Sequence, residues 1–167
     1  LQPDPRRPQI VNGGFELSTL EPGKADGWHY QRRSELVAEN APEGTRYLQF
    51  SNLDAGRSAH ILQGLAIDGR TIGSLQVSLK MRLTDVRPGA ERHEWPGVHI
   101  HFFDARRLPI GVHSLPPWRS DVPVWTTIVE TVPVPRGAQE MILQVGLNGA
   151  TGTLSLDDLR LTPRPRE

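Results

Sequence analysis

From Leu75 to Leu83 the chain alternates almost without a break. Leu75, Val77, Leu79, Met81 and Leu83 are apolar, and Gln76, Ser78, Lys80 and Arg82 between them are polar. Successive side chains of a strand point to opposite faces, so this segment reads as a strand with one buried and one wet side. The same period of two recurs at Tyr47 to Phe50, Ser58 to Leu65, Val98 to Phe102, Trp125 to Val132, Glu140 to Leu147 and Gly152 to Leu161. No segment of helical length carries a 3.6-residue period with capping residues. The 15 prolines and 16 glycines fall between these runs, where they act as turn punctuation. About eight short strands with turns between them predict an all-β chain, a jelly-roll β-sandwich of two antiparallel sheets. There is no internal repeat. Two polar intervals, Asp85 to Pro96 and Pro109 to Pro123, are expected to be long loops, where binding residues tend to sit.

Length and charge narrow the function. With 167 residues the chain is one ordinary domain, large enough to bury a real core. The 19 basic and 19 acidic residues cancel, which argues against nucleic acid as a partner. The absence of cysteine excludes disulfides, thiol chemistry and cysteine-ligated zinc. No apolar run approaches the ~20 residues of a membrane span. Residues 1–8 and 163–167 are rich in Pro and Arg and read as linkers or tails around a module of residues 9–162.

Three stretches in order carry a resemblance. Asn12-Gly13-Gly14-Phe15-Glu16 is followed by Gly27-Trp28. An Arg-rich strand leads to Trp95, a strand ending in Phe-Asp, and Val124-Trp125. Val134-Pro135-Arg136-Gly137-Ala138 precedes Gly152 to Leu161, with Asp157-Asp158 inside it. Over Ile10 to Leu161 the chain resembles carbohydrate-binding modules of families 4, 9, 16 and 22, which share a jelly roll related to galactose-binding-like domains. The resemblance implies one structural calcium ion (Ca2+) where the chain's ends meet. Its ligands would be the carboxylates of Glu16, Glu43 and Asp157, with Asp158 as the second choice for the last, and the carbonyls of Gly14 and Arg46. Calcium takes oxygen ligands, and three carboxylates gathered without a cation would repel one another.

Sugar hydroxyls need amide, imidazole and guanidinium partners, and a pyranose ring needs an aromatic platform. The polar side of Leu75 to Leu83 offers Gln76, Lys80 and Arg82; the next strand offers His99 and His101; a later one offers Gln144. These are expected to share one sugar-binding face. Trp95, Trp118 and Arg119 in the polar loops are candidate stacking and hydrogen-bonding groups, or loop residues folded back as lids on the core. Tyr30 is a candidate at a cleft edge. Trp28 and Trp125 are expected in the core.

The resulting expectation is a non-catalytic, secreted bacterial module that acts as a monomer, away from membranes. It would bring an appended polysaccharide-degrading enzyme to a plant-type glycan: β-glucan, cellulose or xylan. Lys80, Arg82 and Arg119 would also suit an acidic glycan. One alternative is a protein-interaction or spacer sandwich. Another is a small metal-dependent enzyme using His99-x-His101, whose imidazoles lie about 7 Å apart on one face of a strand. No placed pair of acids and no nucleophile or phosphate-loop motif supports catalysis.

Overall fold

The computed structural model describes residues 3–167 and, among them, contains strands but no helix. In chain order the strands are β1 (Ser34–Val37), β2 (Tyr47–Asn52), β3 (His60–Ala66), β4 (Ile72–Arg87), β5 (Gly97–Phe103), β6 (Pro109–Ser114), β7 (Val122–Pro133), β8 (Glu140–Gly146) and β9 (Thr151–Pro165). A five-stranded sheet runs β1-β2-β9-β4-β7, and a four-stranded sheet runs β3-β8-β5-β6. Every pairing between these strands is antiparallel. The expected jelly-roll sandwich is thus present.

The period-two pattern explains the core. Leu75, Val77, Leu79, Met81 and Leu83 of β4 are all buried, as are Leu48, Phe50, Leu154 and Leu156 beside them. They belong to one cluster with Ile61, Val98, Ile100, Phe102, Met141, Leu143 and Val145 of the other sheet. Each such side chain, fully removed from water, contributes about 1.5–3 kcal/mol. Trp28 is in the core as expected, tilted against Phe15 at 5.8 Å and donating its indole N–H to the Asn12 carbonyl.

Several boundaries differ from expectation. β4 continues to Arg87, past a left-handed Asp85, because the Asp121 carboxylate accepts the backbone N–H groups of Asp85 and Val86. Pro109 to Ser114, expected in a loop, forms β6 on the edge of its sheet, where a leading proline is tolerated. Residues 163–165 are not a tail: they extend β9 and pair with the start of β4, Leu75 opposite Pro163 and Ile72 opposite Pro165. β2 pairs with β9 only over Gly152–Leu156, so the far end of β9 has a free side that accommodates prolines. Arg166 then donates to the carbonyls of Gly69, Ile72 and Val134. At the other terminus Leu1 and Gln2 lie outside the described residues. Pro8 is buried, and the Pro5 carbonyl accepts the Asp68 N–H, so this part of the expected tail lies against the body.

The two ends of the module close on each other through Gly13. Its carbonyl accepts the Leu159 N–H at 3.0 Å, and a Cβ on Gly13 would overlap the Leu159 carbonyl oxygen.

Candidate functional site

The polar residues expected on one face lie on two. Gln76, Lys80 and Arg82 project from β4 in the five-stranded sheet, whereas His99, His101 and Gln144 project from β5 and β8 in the four-stranded sheet. Both sets point away from the shared core, so the sandwich separates them by its full thickness. The alternation of each strand was legible, but sheet membership is not encoded in a single strand.

On the four-stranded sheet, pairing aligns Leu62, Gln144, His99 and Ser114 in one row across the strands. His101 lies one step along β5, its Nε2 3.2 Å from the Gln144 amide oxygen. The Gln144 amide donates to the Asn148 side-chain oxygen, and Asn148 donates to the Gly97 carbonyl. His99 Nδ1 sits 2.6 Å from the Ser114 hydroxyl. Burial, followed by the neighbouring His101, holds the His99 pKa below its ordinary value, so its imidazole is neutral at physiological pH. A bridge from His29 to Leu62 extends the row outward, and the adjacent Tyr30 is 62% exposed.

Trp95 and Trp118 close one end of this face. The Trp118 N–H donates to the Pro96 carbonyl, which ties the loop after β6 to the loop before β5. Trp118 is half-buried and packs on the core, as a lid does. Trp95 is also half-buried, with the exposed Arg119 guanidinium 6.0 Å above its ring.

The five-stranded face is different. Gln76 is held by Arg164, and Lys80 is paired with Asp158 at 3.3 Å. Arg82 stacks over Trp125 at 4.9 Å and Tyr47 at 5.6 Å, and donates to the Tyr47 hydroxyl. Trp125 is therefore not a core residue. A bulge in the β4–β7 pairing puts its indole on the outer face, edge-on to Tyr47. Sequence reasoning missed Tyr47, although the burial of Leu48 and Phe50 places it on the wet side by alternation.

At the closing site the acids come near one another in part. A bulge with Asp158 in the left-handed region interrupts the β4–β9 pairing and turns Asp157 under the β1–β2 loop. Asp157 is fully buried and accepts the backbone N–H groups of Glu43 and Asp158. Burial pushes its pKa up to about 7, against the pull of those two hydrogen bonds, and the charges of Glu43 and Asp158 add to the rise. Lys80 and Arg160 both go to Asp158, and neither pairs with Asp157. Gly14 lies against the Glu43 carboxylate. Glu16 departs from the expected arrangement: its oxygens accept the Thr45 hydroxyl and the N–H groups of Thr45 and Arg46. Among the described residues no three acidic or histidine side chains converge closely enough to hold a metal. The donor chemistry nonetheless fits a hard cation. A desolvated carboxylate stands beside a second one, and no basic side chain pairs with Asp157.

No protein-family model matches the chain, and no curated protein matches it either. Solved structures do. A family 16 carbohydrate-binding module superposes with a TM-score of 0.57 at 20% identity, covering 92% of this chain and 98% of its own. The family 22 and catalytic family 10 modules of the endo-1,4-beta-D-xylanase 10B of Clostridium thermocellum, in complex with xylohexaose, match with a TM-score of 0.61 at 16% identity. That match covers 93% of this chain and 28% of the xylanase chain. A cyclase from Fischerella sp. TAU matches with a TM-score of 0.56 at 17% identity, covering 95% of this chain and 97% of its own. The chain therefore has the jelly-roll fold of carbohydrate-binding modules, a fold that also houses a cyclase.

Proposed function

We propose that this chain is a non-catalytic carbohydrate-binding module whose glycan lies across the outer face of the four-stranded sheet. The observation that carries this reading is the set of outward polar groups on β5 and β8, with His101, Gln144 and Asn148 in one hydrogen-bonded chain and His99 held beside them by Ser114. Imidazole and amide groups held by neighbours present fixed donors and acceptors to sugar hydroxyls, and little side-chain entropy is lost on binding. The exposed Tyr30 supplies a ring at the opposite edge. The two histidines are engaged by Gln144 and Ser114, which favours hydrogen bonding over metal-dependent catalysis at the His99-x-His101 pair. Arg119 over Trp95 flanks the same end.

Neutral β-1,4-linked glycans, xylan and β-glucan, suit a row that holds imidazole and amide groups and no Asp, Glu, Lys or Arg. Binding would raise the local concentration of an appended, secreted polysaccharide-degrading enzyme on its substrate. Calorimetry against soluble xylans, β-glucans and mannans tests the reading. Micromolar to millimolar binding to one class, weakened about tenfold or more by His101→Ala or Gln144→Ala, is expected. Absence of binding to every glycan would favour a spacer or protein-interaction role.

One calcium ion at the closing site belongs to the same reading. The Asp157 and Glu43 carboxylates and the Gly14 carbonyl would hold it, with Glu16 and the Arg46 carbonyl completing the set. A bound cation would offset the charge of Asp157 where no side chain does.

A further inference from the structure

The outer face of the five-stranded sheet carries a feature that the proposed function does not use. Strand pairing aligns Glu35, Gln49, Ser155 and Arg82 in a row across β1, β2, β9 and β4, about 14 Å long. Two hollows that share Gln49 follow this row, one of about 240 Å³ toward Arg82 and one of about 350 Å³ toward Glu35. Gln49 donates to the Ser155 hydroxyl, and Thr84 and Thr153 border the Arg82 end. The Arg82 end is a trough of neutral hydrogen-bonding groups around one cation; the other hollow is bordered by Glu35 and by Arg33, which pairs with Asp54.

That cation is unusual. Arg82 is half-buried and makes no ion pair among the described residues, while its neighbour Lys80 is taken by Asp158. Its guanidinium packs beside the Trp125 and Tyr47 rings, 4.9 and 5.6 Å from their centroids, and its hydrogen bond goes to the Tyr47 hydroxyl. A partly desolvated guanidinium without a counter-ion attracts anions strongly and prefers the two-pronged geometry of a carboxylate. Beside it the Trp125 indole N–H is covered and has no acceptor, a second unmatched donor in the same cluster. At the far end Glu35 and the Arg33–Asp54 pair leave no unpaired cation, so an acid group is drawn to Arg82.

We infer that this trough is a second binding site, for a uronic acid unit of an acidic glycan. Arg82 takes the carboxylate, and Gln49, Thr84 and Thr153 face the hydroxyls, with the buried Ser155 holding Gln49 in place. A sugar acid fits because the surface pairs one cation with several neutral hydroxyl and amide groups. A simple anion would leave the neutral row unused.

The test is calorimetry on the full chain with trigalacturonate and an oligosaccharide from glucuronoxylan, each alongside its methyl ester. At least one acid form is expected to bind, with its ester about tenfold or more weaker, because the ester removes the charge-assisted bonds. Arg82→Gln should lose the same factor and abolish the salt dependence. Arg82→Lys keeps the charge without the planar fork and should fall between, and it serves if Arg82→Gln melts early. His101→Ala should leave uronate binding unchanged, and Arg82→Lys should leave neutral-glycan binding unchanged, so the two faces fail independently. The inference is overturned if neither acid binds, if the esters bind equally well, or if both Arg82 variants bind as the native chain does.

Discussion

At Gly13 the first segment of the chain runs so close to β9 that only hydrogen fits between its Cα and the Leu159 carbonyl. Gly13→Ala must push these backbones apart and break the Leu159 N–H bond to the Gly13 carbonyl. We expect a loss of roughly 2–3 kcal/mol in denaturant unfolding, near the upper end for single substitutions. Two histidines set a pH dependence. Burial holds His60 and His99 below their ordinary 6.5, helped by the charge of Arg32 for His60 and of His101 for His99. The folded state therefore binds these protons less readily than the unfolded chain. Their contribution is fully present above about pH 6.5 and is lost as pH falls toward the lower folded values. Asp157, whose folded pKa is raised to about 7, takes up its proton in the folded state over the same window and stabilises as pH falls, so the histidine part is read as a difference. Between about pH 7 and 5.5 the urea midpoint of the native chain should fall relative to that of the His60→Gln/His99→Gln variant. Asp26 also has a lowered pKa, through its hydrogen bonds from Thr19, but its effect enters only as pH approaches 3.8 and below, a separate window. Reading such effects from sequence was not feasible: His60 and His99 look like any polar residues of alternating strands until their burial is known.

Elements differ in how much of them the sequence declared. β4 was legible because five apolar residues alternate with four polar ones, and one face of it is fully buried. β6 was not, because Pro-Ile-Gly-Val-His-Ser has weak strand propensity and is mostly exposed; only its hydrogen bonds to β5 make it a strand. The end of β9 was misread for a related reason. Pro and Arg are the composition of a linker, yet Pro163 and Pro165 lie opposite β4, and Arg166 gathers three carbonyls. Arg166→Ala should therefore destabilise the domain by about 1.5–3 kcal/mol, the range for charge-assisted hydrogen bonds, where a true tail residue would have no effect. Thermal melting of the single variant is sufficient to decide.

On the scale of the whole molecule, strand order decides what meets what. β2 and β9 are about a hundred residues apart in sequence and adjacent in the sheet, as in Asn52 opposite Gly152. That adjacency brings Glu43 to Asp157, so the proposed calcium site exists only in the closed sandwich. A ligand that binds only the folded state stabilises it by about 2.7 kcal/mol at a hundredfold excess over its Kd. Excess chelator should thus lower the melting temperature by roughly 5–10 °C, and Asp157→Asn should no longer respond. Unchanged melting in chelator would remove calcium from the account. The same strand order split the expected binding face. It sent β4 to one sheet and β5 with β8 to the other, leaving an imidazole and amide surface opposite a trough anchored by Arg82.

The sequence by itself determined seven of the nine strands, the buried side of nearly every one of them and the all-β class, because side-chain alternation is a local property of the backbone. It also marked the Gly13-Gly14-Phe15-Glu16 and Asp157-Asp158 segments as special. Only the tertiary structure decided which strands share a sheet, and with that which polar residues share a face. It moved Trp125 from the expected core to an outer cluster with Tyr47 and Arg82, and it turned the last prolines from a tail into a strand. The physical reason is that pairing partners are chosen by long-range backbone hydrogen bonds and core packing, which no single strand's pattern encodes.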